Sequence, residues 1–339
     1  MNDKMKPEEI LKEAPEFTQL INLAAEGLGA KTLSCSDDFF AEMENLIKPG
    51  RGIFIEDKYT ENGKWMDGWE SRRKRTPGND WCILQLGAPG CITGVDIDTH
   101  FFLGNHPPHA ALEACRINSD NINWDSVEWT EILPKSHLDA GSQNFYEIES
   151  NDTWTHLRLQ IYPDGGVARL KVYGEVKKDL SSLTNERIDL ISALNGGRSV
   201  LCNDMFFSHM NNLIMPTKGK DMGDGWETKR NRTPNNVDWV IIKLVQKGAV
   251  DEVLVDTKHF KGNYPDSCSI LGCVLEDGES VEDASIEWKE LLPQSKLSAD
   301  SEHLFKDELN NRGPFTHVKL MIYPDGGISR LRVNGTLVD

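Results

Sequence analysis

The chain is written twice, and that duplication limits its folds more than any other feature. Trp69 and Trp226 stand 157 residues apart inside the matched blocks DGWESRRKRTP (67–77) and DGWETKRNRTP (224–234). Asp98 and Asp256 are 158 apart, Trp129 and Trp288 159, and Tyr162 and Tyr323 161, while Phe39-Phe40 precede Phe206-Phe207 by 167. A slowly drifting offset signals small insertions in the loops of a duplicated domain, not a short-period solenoid. The blocks 21–40, 95–108, 128–138 and 161–174 lie over 188–207, 253–266, 287–297 and 322–335. The expected organisation is an N-terminal extension (1–17), a first repeat (18–174), a polar linker EVKKDLSSL (175–183) and a second repeat (184–339). A length of 339 residues suits two domains of ordinary size.

Each repeat reads as β. THLRLQIY alternates Leu157, Leu159 and Ile161 with His156, Arg158 and Gln160, the period-two pattern of a strand with one apolar face. PDGG then turns the chain and VARLKVYG returns, a hairpin that 316–335 repeats. DWCILQL and DWVIIKL are short apolar runs of β-formers, hence buried strands. One helix is predicted over FFAEMENLI, with Asp37 or Asp38 as its cap. Short strands separated by Pro/Gly turns predict an antiparallel β-sandwich in each half, so an all-β chain.

A net charge of −17 argues against nucleic acid or an anionic membrane as partner, although a few arginines can still reverse the potential locally. Seven cysteines without a Cys-x-x-Cys read as buried free thiols. The opening MNDKMKPEEILKEAPEF has no apolar core, and no run approaches a membrane span of ~18 residues, so the cytoplasm is the expected location. G-x-S-x-G, H-E-x-x-H, P-loop and dinucleotide fingerprints do not occur, which removes most support for those chemistries.

Three constellations carry candidate chemistry. In the doubled block, Arg72, Arg73 and Arg75 match Lys229, Arg230 and Arg232. Arginine's planar fork suits a carboxylate, so these form an expected anion clamp; the competing reading is a solvated loop paired with the acidic surface. Glu70 and Glu227, each beside a tryptophan, are expected as partly desolvated acids suited to proton transfer. The second constellation sets DTHFFLGNHPPH (98–109) over DTKHFKGNYPD (256–266), giving Asp98, Asn105 and His106 against Asp256, Asn263 and Tyr264. His100 is a candidate proton shuttle that faces Lys258, with His259 one residue later in the second copy. His106-x-x-His109 invites a metal reading, but the Pro-Pro between them forbids a helix and the second copy has Tyr264 and Ser267, so the sequence requires no cofactor and leaves a divalent metal open without indicating one. Third, Arg169 and Arg330 follow the PDGG turns, where an arginine can reach a cleft at the sandwich rim or face water.

The motifs SDDFFAEMENLI, DGWESRR, IDTHFFLGNHPP, WTEILPKSHL and IYPDGGVARL, in order and twice over, resemble the allantoicase family across about 18–336. That resemblance implies two tandem jelly-roll modules of the galactose-binding-like type. It also implies hydrolysis of allantoate to ureidoglycolate and urea in purine degradation, by a cytosolic homo-oligomer. Allantoate bears one carboxylate and two ureido groups, so an arginine clamp suits the first and Asp98, Asn105, Asp256 and Asn263 suit the others. Glu70 and His100 are the expected acid/base pair, a role drawn from the chemistry and from repeat matching. A rival reading is a tandem jelly-roll module that binds carbohydrate or another small ligand without catalysis.

Overall fold

The structure, a computed structural model, describes residues 14–119, 122–183, 186–276 and 278–338. It divides into two units, Ala14–Lys178 and Asp179–Asp339. The expected extension at 1–17 falls mostly outside the described residues.

In the first unit, β1 (Lys31–Cys35), β2 (Asp80–Asp98), β3 (His109–Cys115), β4 (Thr130–His137), β5 (Phe145–Glu147), β6 (Trp154–Tyr162) and β7 (Arg169–Val176) make one antiparallel system. The long β2 joins the two layers. Its first part pairs with β1 and with β6, which continues through β3 to β4. Its last part pairs with β7 and β5. Between these parts stands GAPG (87–90), where proline and glycine interrupt regular pairing and let the strand change layers. Alternating burial along β6 puts Leu157, Leu159 and Ile161 in the core, fully buried, as the period-two pattern predicts.

The second unit repeats this plan with β8 (Arg198–Cys202), β9 (Asp238–Asp256), β10 (Ser267–Cys273), β11 (Lys289–Lys296), β12 (Glu302–Phe305), β13 (Phe315–Tyr323) and β14 (Arg330–Leu337). The all-β, two-module architecture expected from the duplication is thus present. The helix expected over FFAEMENLI is not. Met43–Ile47 forms a short 3-10 turn, and Ala41 bridges to Glu70 in antiparallel fashion, so the backbone there serves a strand instead. Asp37, one of the two expected caps, accepts from Phe39 N at 3.3 Å and otherwise serves Arg72. No helix among the described residues is long and apolar enough to cross a membrane.

The PDGG turn draws several loops together. Trp69–Glu70 pairs with Gly166–Val167, and Gly166 N donates to Asn105 O at 2.8 Å. Gly165 has φ +136°, open to glycine at little cost, and packs against the 105–107 backbone. A Cβ on Gly166 would overlap the ring of Phe102, itself fully buried with Met66 and Ala168; Gly327 stands in the same relation to Phe260. Gly166→Ala and Gly327→Ala are each expected to cost about 1–3 kcal/mol through overpacking. A melting curve checks this; an unshifted midpoint would mean the ring yields freely.

Candidate active site

The first repeat gathers its polar groups where β2 ends. Asp98 is fully buried, and Arg51 grips it with two parallel bonds, Nε to Oδ2 at 2.7 Å and Nη2 to Oδ1 at 2.9 Å. This is the two-pronged arginine–carboxylate geometry, stronger and more directional than a single contact. Asp98 Oδ1 also accepts from His100 N at 2.9 Å, which fixes the start of the following loop. The His100 ring lies with Nδ1 2.9 Å from Gly52 O. A carbonyl only accepts, so Nδ1 carries the proton and Nε2 is left with its lone pair. Burial, then the nearby Arg51 charge, lowers the pKa of His100. The ring is therefore neutral at physiological pH and suited to take a proton.

Glu70 is the second titratable group. It follows the fully buried Trp69, whose Nε1 donates to Asp37 O at 2.9 Å. Burial raises the Glu70 pKa, opposed by Asn105 Nδ2 donating to Oε1 at 2.7 Å. The expected desolvated acid beside the tryptophan is present in direction, and Asn105 is its partner.

The cations do not follow the sequence reading. Arg72 belongs to Asp37: its backbone N and Nε each donate to that carboxylate at 2.8 Å, and its guanidinium lies over the Phe39 ring. Arg73 and Arg75 are exposed. Lys229 takes the same place against Asp204, with its backbone N donating to Oδ1 at 2.8 Å, while Arg230 and Arg232 are exposed. The doubled run thus ties its loop to an upstream aspartate. Among the described residues, the guanidinium groups drawn inward at this end of β2 are those of the partly buried Arg51 and the buried Arg169.

Arg169 is 3% exposed and gives both terminal nitrogens to the protein, Nη2 to Asp67 Oδ2 at 2.7 Å, Nη1 to Asp67 O at 3.0 Å and to Ala168 O at 2.7 Å, while its Nε is buried without a partner. Arg330 repeats the arrangement with Asp224 Oδ2 at 2.9 Å, Asp224 O, Ser329 O and Thr217 O. Both arginines, expected to reach substrate, instead brace the loop that leads into the Trp–Glu strand. Their identity in both repeats marks a structural role.

The second repeat keeps one half of the constellation and loses the other. Glu227 still accepts from Asn263 Nδ2, and burial raises its pKa. Among the described residues no arginine is hydrogen-bonded to Asp256, although Lys218 and Arg330, the cross-strand neighbour of Asp256, act on its charge. Lys218 stands at the place of Arg51 (LIKPGRG, 46–52, over LIMPTKG, 213–219) but pairs with Glu302 at 3.1 Å. Asp256 accepts from Lys258 N at 2.7 Å, and burial raises its pKa. Lys258 replaces His100. His259, aligned with Phe101, points Nε2 at Gly219 O, 2.9 Å away. An imidazole still touches the matching glycine carbonyl, but from one residue later and through its other nitrogen. His106 is half-buried with Nδ1 unpartnered, and Tyr264 is likewise half-buried. Among the described residues no group of three or more His, Cys, Asp and Glu is arranged to hold a metal ion.

Two residues central to this geometry escaped the sequence reading. Arg51 and Asp67 sit at the edges of matched blocks, and Asp67 opens the doubled stretch itself. Matching GRG against TKG, together with Asp67 against Asp224, is the signal that could have found them.

Comparison with known proteins identifies the family. The family model described as allantoicase repeat matches twice, over 21–177 and 188–338. A probable allantoicase from Pseudomonas savastanoi pv. phaseolicola is 51% identical over 325 residues, covering 95% of this chain and 98% of the relative. One from Photobacterium profundum is 48% identical, covering 96% and 99%. A crystal structure of allantoicase from Saccharomyces cerevisiae superposes with a TM-score of 0.81 at 35% identity, covering 94% of this chain and 96% of that one. The chain belongs to the allantoicase family.

Proposed function

We propose that the first repeat carries the catalytic site of this chain and that Arg51, Asp98, His100, Glu70 and Asn105 form it. As a member of its family the chain is a hydrolase that converts allantoate and water to ureidoglycolate and urea in purine degradation. The observation that carries the assignment to one repeat is the Arg51–Asp98–His100 unit, for which the second repeat has Lys218 on Glu302, an Asp256 that no guanidinium fork grips, and Lys258.

In this reading, His100 Nε2 takes a proton from the attacking water while its Nδ1 stays on Gly52 O. The water oxygen bonds to the central carbon, the carbon–nitrogen bond to one ureido group breaks, and protonated Glu70 supplies the proton that makes the departing group urea. The proton held on His100 then returns to Glu70. If the bond breaks first, His100 Nε2 takes the N–H proton of the retained ureido group while protonated Glu70 protonates the departing nitrogen, giving urea and an imine. Water then adds its hydroxyl to the imine carbon and its proton to the Glu70 carboxylate as His100 returns its proton to the nitrogen. Positioned proton transfer of this kind contributes ~10²–10⁴-fold. Arg51 is 18% exposed and has Nη1 remaining for the substrate carboxylate, while Asp98 fixes its plane. Asn105 holds Glu70, and its amide has the donor and acceptor chemistry that suits a ureido group. The raised pKa of Glu70 increases the protonated fraction that this step needs.

We further propose a cytoplasmic homo-oligomer. All seven cysteines are free, as in a reducing compartment, and Ile53, Phe54, Ile55, Tyr59 and Leu103 expose an apolar rim of the kind that self-association covers. The test of the reaction is urea release: the folded protein supplied with allantoate is expected to form one urea per allantoate consumed. A folded protein with no urea above background would return the chain to the small-ligand-binding reading.

A further inference from the structure

Beside the end of β2 the two repeats exchange a charge. Ile97 N and Thr99 N donate to Asn144 O and Ser142 O at 3.0 and 2.9 Å, so Gln143 stands opposite Asp98 in the close-set pair between them. The second repeat has the same pairing, with Glu302 opposite Asp256. Matched contacts flank both: Ser142 N donates to Thr99 Oγ1 and Ser301 N to Thr257 Oγ1, each at 3.1 Å. Gln143 and Glu302 are therefore equivalent, one neutral and one charged. Two residues earlier the change runs the other way, from Asp96 to Leu254, which face the matched Lys171 and Arg332 across the strands.

The partner of the nearby cation changes with this exchange. In the first repeat Gln143 Nε2 donates to Asp96 Oδ2 at 2.7 Å, its diagonal neighbour on the same face, and Arg51 keeps both prongs on Asp98. Arg51 also feels the charge of Asp96. Asp96 is fully buried, and burial, opposed by Lys171, pushes its pKa up to about 6; Asp98 adds to the rise, while Gln143 and Arg51 oppose it. In the second repeat Lys218 pairs with Glu302 at 3.1 Å, and behind burial the Glu302 charge helps to raise the Asp256 pKa. Like charges directly opposite on paired strands repel, and a second carboxylate competes for a single cation.

On the assignment of Arg51 given above, we propose that Gln143 is a positioning residue of the reaction: tied to Asp96 and uncharged, it leaves the Arg51 fork undivided on Asp98 and in plane for the substrate carboxylate. Gln143 takes no proton and acts through Arg51. A carboxylate at 143 would draw the guanidinium away from Asp98, as Glu302 draws Lys218, and the two-pronged geometry would be lost.

The experiment compares kcat/KM for urea release from allantoate in Asp96→Leu, in Asp96→Leu/Gln143→Glu, and in that pair combined with Arg51→Lys, each with a melting curve. The pair copies Leu254 and Glu302, keeps the net charge, and avoids three carboxylates around one guanidinium, so it is expected to fold. Asp96→Leu leaves position 143 neutral and is expected to cost a few-fold. The pair is expected to fall about 10²-fold below Asp96→Leu, the cost of a misplaced clamp. With Arg51→Lys, where the fork is already gone, the pair is expected to add little, because residues that act through one another do not sum. A merely structural defect would cost the same in both backgrounds. Glu302→Gln supplies a second measurement that does not depend on the folding of the pair: in its crystal structure Lys218 is expected to turn to Asp256. Equal rates for the pair and Asp96→Leu, equal losses with and without Arg51→Lys, or a Lys218 left in solvent would overturn the proposal. Full activity in Arg51→Lys would instead remove the assignment beneath it, and the proposal with it.

Discussion

Replacing His100 by asparagine is expected to lower kcat for urea release by ~10²–10⁴-fold, the contribution of a positioned base, and to erase the acid limb of the pH profile. The argument rests on the ring's two nitrogens. Nδ1 is 2.9 Å from Gly52 O and holds the proton, leaving Nε2 as the acceptor. An asparagine amide can still donate to that carbonyl, so the loop keeps its anchor while the base is lost. The pKa of His100 is lowered by burial and by Arg51. Neutral imidazole is the working form of the base, so its protonation lowers kcat/KM tenfold per pH unit on the acid side, while loss of the Glu70 proton lowers it on the alkaline side. The acid limb therefore lies on the acid side of the ordinary imidazole value of about 6.5. A His100→Asn enzyme with wild-type kcat and an unchanged acid limb would remove histidine from the reaction.

Much of the fold was legible because it rests on local pattern. The alternation in 155–162, the PDGG turn and the returning strand identify a hairpin with a buried face, and the duplication supplies the second module at once. The predicted helix over FFAEMENLI failed for a non-local reason. Its apolar spacing is real, but the backbone at Ala41 is engaged by Glu70, well down the chain. Glu70 and Glu227 were legible as partly buried acids, since a neighbouring tryptophan that fills the core carries the carboxyl inward.

The arginine clamp was misplaced for the same kind of reason. Repetition of Arg72 as Lys229 looked like conserved use of charge on a ligand, yet each cation serves an aspartate some 35 and 25 positions upstream. A repeated residue is as readily a repeated brace as a repeated site. The informative positions were those at which the copies part company, Arg51 against Lys218 and His100 against Lys258. Across the loop that carries Arg51 the repeat spacing falls from 167 to 157, so the first copy is longer there and its exposed Ile53, Phe54 and Ile55 have no counterparts in the shorter loop.

Arg51 carries the second large expectation. Asp98 is fully buried, and its two oxygens meet the guanidinium fork at 2.7 and 2.9 Å. Truncation to alanine would strand a buried carboxylate, a loss typically worth 3–5 kcal/mol, and would confuse folding with function. Lysine is the sharper substitution because it is what the second repeat uses. It keeps the charge but offers one point of contact in place of the planar pair, so neither Asp98 nor the substrate carboxylate is held in plane. A misplacement of about 1 Å can cost 10²-fold in rate, and kcat/KM for Arg51→Lys is expected to fall by about that factor with the melting midpoint little changed. Lys218 is the natural control: its side chain is 87% exposed and pairs with a partly exposed Glu302. A surface pair of this kind is worth about 0–1 kcal/mol, and Lys218→Ala is expected to leave urea release within about twofold of wild type.

The most direct measurement is therefore urea release from allantoate by Arg51→Lys and Lys218→Ala side by side, each checked for folding. A single working repeat predicts a fall of about 10²-fold in the first and near-native turnover in the second. Equal losses, or full activity in Arg51→Lys, would contradict it.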